Sequence, residues 1–178
     1  MSKIKLVNVR LSFPQLFEAK AFQGGVPKFS AVFLLDKKNH ASKIAEIRAA
    51  MDACAKEKWP KKLPSGLKMG LRDGSEKADM DGYGDGVVFF SASSQKRVPV
   101  VDRDLSPLSA GDDRPYAGCY VNATVNVWAQ DNEFGKRVNF GLVAVQFSKK
   151  GDPFGAGSAD PEEEFSKIEE TADDTSGL

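Results

Sequence analysis

The sequence predicts a mainly β protein with one helix, and three patterns lead to this prediction. Two long segments, 118–130 and 137–147, alternate between apolar and polar positions with the two-residue period of a strand and together read as a hairpin. Two shorter segments near the start of the chain, 4–13 and 28–35, also read as strands. Between these two pairs, apolar residues recur at helical spacing over residues 40–58.

The first strand is predicted over residues 4–13. Its apolar positions change phase between Leu6 and Val7, and such a slip in a period-two pattern indicates a β-bulge or sharp coiling. Pro14 is expected to end the strand, and residues 17–25 are expected to form a loop that pivots on two glycines.

The second strand and the helix each show one apolar face. Asn39 is the expected N-cap of a helix that starts at His40, and Trp59-Pro60 is expected to end it near Lys58. The face of the second strand holds Phe29, Ala31, Phe33 and Leu35. The helical stripe, with spacings of 3, 4 and 3, holds Ile44, Ile47, Met51 and Cys54.

The remaining elements complete a small barrel. Residues 59–86 lack periodicity and are expected to form a long irregular segment, followed by short strands at 86–91 and 97–101 and a loop over 102–117. The last strand changes phase near Gly141, as strands do where a small barrel turns a corner. About five strands, one early helix and a coiled closing hairpin predict a Greek-key barrel of the OB-fold type.

Charge divides the chain into two parts. Residues 151–178 hold nine carboxylates and one lysine, a net charge of −8, whereas residues 1–150 hold 24 Lys and Arg against 16 Asp and Glu, a net charge of +8. The composition of 151–178, rich in Gly, Ala, Ser, Pro and acids, predicts a disordered acidic tail. The basic charge of the domain at 1–150 suggests a polyanionic partner such as a nucleic acid. Charge alone is equally consistent with a tail that only aids solubility.

Composition also places the protein in a cellular compartment. No stretch approaches the ~20 apolar residues of a membrane span, and the first residues lack the apolar segment of a signal peptide. Cys54 and Cys119 are the only cysteines and lie in unlike contexts, which predicts reduced, packed thiols and a cytoplasmic protein.

The sequence offers few candidate residues for catalysis or metal binding. His40 is the only histidine, so zinc sites built from His and Cys lack ligands, and no catalytic residue, metal or cofactor is predicted. Residues 79–85 resemble a calcium loop, but Tyr83 stands at the fifth position and Phe90 at the twelfth, where calcium loops place oxygen ligands.

Basic residues interleaved with aromatics form the strongest functional pattern. Single-stranded nucleic acid needs cations along its phosphates and flat side chains for its unstacked bases. On the long hairpin, Tyr120 and Trp128 share a face with small polar residues, which suits either base stacking or packing at a barrel end. The candidate DNA-binding residues are Arg10, Phe22, Lys28, Trp59, Lys61, Lys62, Lys68, Arg72, Tyr83, Lys96, Arg97, Arg114, Tyr116, Tyr120 and Trp128.

Several motifs follow one another in order between about residues 4 and 155. They are residues 7–14 (VNVRLSFP), 16–17, 21–25 (AFQGG), 71–74 (LRDG), 100–102 (VVD), 118–122 (GCYVN) and 144–147 (AVQF). This set resembles a family of phage-encoded single-stranded-DNA-binding proteins. The resemblance implies an OB-fold that coats single strands during phage replication, with an acidic tail that recruits partner proteins.

The tail departs from the common pattern of single-strand binders, whose tails often end in an aromatic residue. This chain ends in Leu178, so Phe165, which follows three glutamates, is an equally good hydrophobic anchor. The candidate partner-binding residues of the tail are Phe165, Asp173, Asp174 and Leu178.

These observations predict a non-enzymatic protein that coats and protects single-stranded DNA in phage replication or recombination. The tail is expected to weaken DNA binding by occupying the basic surface and to recruit replication or recombination proteins. One alternative is a mediator that anneals complementary strands, and another, less favoured, is a metal-dependent nuclease that uses Asp79–Asp85. The sequence leaves a homodimer open.

Overall fold

Eight strands, one α-helix and one 3₁₀ helix form the described part of the chain, which is residues 3–21 and 24–154 of a computed structural model. The strands are β1 (Lys3–Lys20), β2 (Lys28–Asp36), β3 (Lys68–Met69), β4 (Arg72–Asp73), β5 (Val87–Ser94), β6 (Val100–Val101), β7 (Tyr120–Asn132) and β8 (Gly135–Lys149). The α-helix, α1, spans Ala41–Lys58, and the 3₁₀ helix spans Gly74–Lys77.

Five strands close into a barrel in the order β1–β2–β5–β8–β7, with β7 returning to β1. Four of these five pairings are antiparallel, and the parallel pairing of β5 with β8, at Ala92 opposite Phe140, closes the ring. The short strands β3 and β6 pair with β8, and β4 pairs with β5. The predicted mainly β barrel with one helix is confirmed.

The core fills the barrel from the predicted faces. The inward face of β2 is buried as expected, and Val121, Ala123, Val125 and Val127 of β7 are buried with it. At the centre, the ring of Phe90 stacks on that of Phe140, with centroids 4.0 Å apart, and lies 5.7 Å from the ring of Phe33. Period-two alternation therefore predicted which side of β2 and of β7 faces inward.

Both predicted phase slips are irregularities of the strand pairing. The register of β1 against β7 shifts between Leu6 and Val9, and Asn8 takes a positive φ of 53° there, a conformation that Asn tolerates better than most residues. The register of β7 against β8 shifts beside Val125, which pairs with Leu142 while Thr124 pairs with Ala144. Bulges at these two places are confirmed.

The first strand is longer than predicted, and its end at Pro14 is wrong. β1 continues to Lys20 because its register against β2 shifts between Ser12 and Gln15, so Pro14 lies in an irregularity where a missing backbone N–H removes no ladder bond. The predicted loop at 17–25 is correspondingly shorter. The strand predicted at 86–91 also extends, to Ser94, through serines whose low strand propensity hid it.

The helix ends at Lys58 as predicted, but its N-cap and one residue of its buried face differ from the prediction. His40, rather than Asn39, is the N-cap, because Asp36 Oδ1 already accepts hydrogen bonds from the backbone N–H groups of Lys38 and Asn39. Ala55, rather than Cys54, completes the buried stripe, and Cys54 is half-buried. The strand predicted from Arg97 begins only at Val100, and the segment predicted as irregular contains β3, β4 and the 3₁₀ helix.

Candidate nucleic-acid interface

The outward side of β2 and β5 carries small side chains. Ser30 lies opposite Ser93 and Val32 opposite Ser91, and residues paired in this way project from the same side of a sheet. None of these four side chains is fully buried. In OB-folds this is the face that binds oligonucleotides, between the first hairpin loop and the loop that joins the last two barrel strands.

A groove of about 300 Å³ opens beside this face. We call it the β5 groove. Phe89 and Ser91 of β5 form its floor, and Phe13 of β1 stands at one side. The other lining residues include Met69, Arg72, Lys77, Tyr83, Arg137 and Asn139. The groove therefore brings together side chains from β1, β3, β4, β5, β8 and the segment after the 3₁₀ helix.

Cations line the β5 groove in an accessible arrangement. The Arg72 guanidinium lies 5.1 Å from the centroid of the Phe89 ring and 3.1 Å from Glu76, in an ion pair whose two side chains are about half exposed. Arg137 of β8 also lines the groove, and its register partner Lys68 of β3 lies beside the groove; both side chains are exposed. Phosphates could therefore approach three cations from solvent without breaking a buried ion pair.

Aromatic rings are held at the same groove. The Tyr83 hydroxyl donates to Ser12 Oγ at 3.0 Å, and the Tyr83 ring meets the Phe89 ring edge-on, with centroids 5.0 Å apart at 77°. Burial raises the pKa of Tyr83 above its usual value, which favours the protonated hydroxyl that donates to Ser12. Phe13 is 52% exposed, so it offers an open face to a base.

A second group of predicted cations lies at the other end of β2 and β5. The Arg97 guanidinium lies 5.4 Å from the centroid of Phe29 and donates to the Phe17 carbonyl at 3.3 Å. Lys28 starts β2, and Lys96 follows the end of β5 in an exposed turn. The small outward side chains of β2 and β5 are thus flanked by cations at both ends.

Several predicted DNA contacts are engaged within the protein instead. Arg114 forms an ion pair with Asp102 at 2.6 Å and another with Asp113. The Arg114 guanidinium lowers the pKa of the Asp102 carboxyl, which keeps this pair charged. The Tyr116 hydroxyl donates to the Gly151 carbonyl at 2.9 Å, and its ring packs against the core. Arg114 and Tyr116 therefore both stabilise the fold, and DNA binding by these two residues stays a prediction.

The predicted tryptophans lie in different surroundings. Trp59 is half-buried, packs against the core at the end of α1, and is followed by the exposed Lys61 and Lys62. Trp128 of β7 lies opposite Asn139, which lines the β5 groove. Trp128 is therefore one strand away from the groove and half-exposed beside it.

Arg10 and Tyr120 contact the last described residues. Arg10 donates to the carbonyls of Gly118 and Asp152, at 2.9 and 2.8 Å, and its guanidinium lies 4.5 Å from the Phe154 ring. The Tyr120 ring has the Arg10 guanidinium at 5.6 Å and Lys149 Nζ at 4.9 Å. Residues 151–154 of the predicted tail therefore pack on the barrel.

Sequence reasoning missed several groove residues. The sequence places Phe13 and Phe89 only in predicted strands, and Arg137 at the start of the last strand. Phe134, in the turn between β7 and β8, is 82% exposed and lies in the loop that OB-folds use for oligonucleotides. Their isolated positions along the chain gave no local signal. Phe22 and the tail residues Phe165, Asp173, Asp174 and Leu178 lie outside the described residues.

The described residues lack the features of a metal site and of a membrane-spanning helix. No three His, Cys, Asp or Glu side chains of residues 3–21 and 24–154 come together as metal ligands. No helix in this part of the chain combines the length and the apolar character needed to cross a bilayer. Cys54 and Cys119 are both free thiols.

Known proteins resemble this chain over most of its length. A family model described as the ssDNA-binding protein of Enterobacter phage Enc34 matches residues 2–176. Protein p50 of Acyrthosiphon pisum secondary endosymbiont phage 1 is 43% identical over 176 residues, which cover 93% of this chain and 94% of that protein.

Solved structures agree with the sequence matches. The single-stranded DNA-binding protein from bacteriophage Enc34 in complex with ssDNA has a TM-score of 0.78 and 28% identity, over 86% of this chain and 89% of that chain. The gp2.5 protein of bacteriophage T7, also a single-stranded DNA binding protein, has a TM-score of 0.52 at 14% identity, over 94% and 99% of the two chains, and shares the fold. The resemblance drawn from the motifs is confirmed, and this chain belongs to the family of the Enterobacter phage Enc34 ssDNA-binding protein.

Proposed function

We propose that this protein binds single-stranded DNA without sequence preference and coats it during phage replication or recombination in the host cytoplasm. The observation that carries the proposal is the β5 groove, where exposed cations and partly exposed aromatic rings adjoin the small outward side chains of β2 and β5. The Enc34 protein, whose fold this chain shares, was solved in complex with ssDNA.

The groove suits a single strand better than a duplex. A single strand exposes bases that can stack on rings such as Phe13, while its phosphates lie near Lys68, Arg72 and Arg137. Stacking works for every base because each has a π-face, so binding of this kind tolerates any sequence. In a duplex the bases are already stacked on one another, and only the phosphate contacts remain.

Replacing Arg72 by glutamine tests the groove directly. We expect weaker binding of a labelled dT oligonucleotide and a log–log salt slope that is smaller by about 0.7, the loss of one phosphate contact. Arg48→Gln is the matched control, because it removes the same charge from the exposed side of α1. Equal affinities and slopes for the two variants would place the DNA on another surface.

The acidic tail is proposed to compete with DNA and to recruit replication or recombination proteins. Residues 155–178 hold eight carboxylates and one lysine, a net charge of −7 beside a basic body. Attachment to the body raises the local concentration of this charge near the groove.

Truncation after Phe154 is therefore expected to tighten DNA binding, with the largest gain at low salt, where electrostatic competition is least screened. Titrations of the full chain and the truncated chain at two salt concentrations measure this gain. If truncation leaves the low-salt affinity for DNA unchanged or lowers it, the tail does not compete with DNA. Its role would then be recruitment of partners or solubility.

A further inference from the structure

A second cavity, of about 250 Å³, adjoins the β5 groove and shares two of its residues, Phe13 and Tyr83. Its other apolar walls come from Pro14, Met80 and Phe154. We call it the Phe154 pocket. The two cavities therefore meet along the Phe13 and Tyr83 side chains, so a strand in the groove would pass the mouth of the pocket.

The Phe154 wall is fixed by several contacts. The Phe154 backbone N–H donates to the Ala117 carbonyl at 3.0 Å, and the Arg10 guanidinium covers the ring at 4.5 Å. The far edge of the ring packs against Gly82: a Cβ at residue 82 would overlap the Phe154 ring, and the φ of +82° also favours glycine. The close approach of Gly118 to Asp152 and Pro153 leaves no room for a side chain either.

Phe13 is held in an unfavourable backbone conformation at the boundary of the two cavities. Its φ is +45°, which is rare for a bulky residue, and its side chain is 52% exposed. Strain of this kind is concentrated at ligand sites. The Phe13 ring is therefore about half exposed at a strained position, and its partial burial does not account for the strain.

We propose that the Phe154 pocket receives one nucleobase of the single strand bound in the β5 groove. Flat aromatic and apolar walls suit a base, and the volume lies below the ~300–1,000 Å³ of pockets for drug-sized ligands, as a single ring system requires. The proposal rests on the proposed function and adds that residues 151–154, which the charge pattern assigns to the tail, form a wall of the DNA site.

Photocrosslinking of the full-length wild-type protein tests the contact without a mutation. A dT oligonucleotide that carries 5-iodouracil is irradiated in the complex, and the crosslinked peptides are identified by mass spectrometry. We expect crosslinks to Phe154 or Met80, which line the pocket but not the β5 groove. Crosslinks confined to other peptides, including those that line only the β5 groove, would overturn the proposal.

Substitution in the full chain gives the energetic test. Phe154→Ala should weaken dT binding about 5- to 150-fold, the value of one stacked base, and Phe154→Tyr should restore most of it. Leu105→Ala, which trims an apolar side chain that lines neither cavity, is the control and should bind as wild type does. Unfolding midpoints of all variants show whether the barrel is intact.

The outcomes separate the two proposals. Failure of the wild-type protein to bind single-stranded DNA would overturn the proposed function itself. Wild-type binding together with unchanged affinity of a folded Phe154→Ala variant would overturn the pocket alone.

Discussion

Replacing Phe90 by alanine is expected to lower the free energy of unfolding by about 3–5 kcal/mol, the usual cost of deleting a buried aromatic side chain. Phe90 is completely buried, and its ring contacts both Phe140, at 4.0 Å between centroids, and Phe33, at 5.7 Å. Its strand, β5, pairs with β2 on one side and with β8 on the other, so a cavity at this position weakens the seam that closes the barrel.

Urea titration followed by circular dichroism measures this loss. Phe134→Ala is the control, because Phe134 is 82% exposed and surface substitutions usually change stability by less than about 0.5 kcal/mol. A Phe90→Ala variant that unfolds at the same urea concentration as Phe134→Ala would contradict the packing described for the barrel centre.

Raising the salt concentration from 50 to 200 mM is expected to weaken single-strand binding about 100-fold, if about five phosphates are neutralised with a slope of about −0.7 each. The groove and the far end of β2 and β5 offer enough cations for that number. They are Lys28, Lys68, Arg72, Lys77, Lys96, Arg97 and Arg137. The slope arises because each bound cation releases counterions from the DNA, and high salt opposes that release.

Fluorescence titration of a labelled dT oligonucleotide at four or five salt concentrations gives the slope. The unfolding midpoint over the same range shows that the protein itself is unchanged by salt. A slope near zero would mean that stacking alone holds the strand and that the basic body serves another purpose.

The barrel could be predicted because the inward face and the bulges of a strand can be recognised from the order of residues within that strand. Alternation along β2 and β7 identified the inward residues, and phase slips at Leu6–Val7 and near Gly141 located the bulges. The ends of strands were predicted less well, because pairing continued past Pro14 and through the serines of β5. Tertiary pairing there outweighed local propensity.

The candidate site was predictable only in part because its residues come from distant segments. Arg72 and Tyr83, both candidates from the sequence, line the same groove, but Phe13 and Arg137 join them only through the closure of the barrel. Sequence also cannot show that Arg114 pairs with Asp102 or that Arg10 holds residues 152 and 154. A basic residue looks the same in sequence whether its partner is a phosphate or the protein itself.

The pairing of β1 with β7 also determines how late in synthesis β1 can complete its place in the sheet. Ile4 pairs with Val125, so the first strand to leave the ribosome has no partner on that side until more than a hundred further residues have been added. At ~5–20 residues per second this wait lasts on the order of 6–25 seconds. Contacts so distant in sequence also slow folding itself, typically to milliseconds or seconds. During synthesis β1 therefore presents an open strand edge, the surface on which unwanted association between nascent chains would begin.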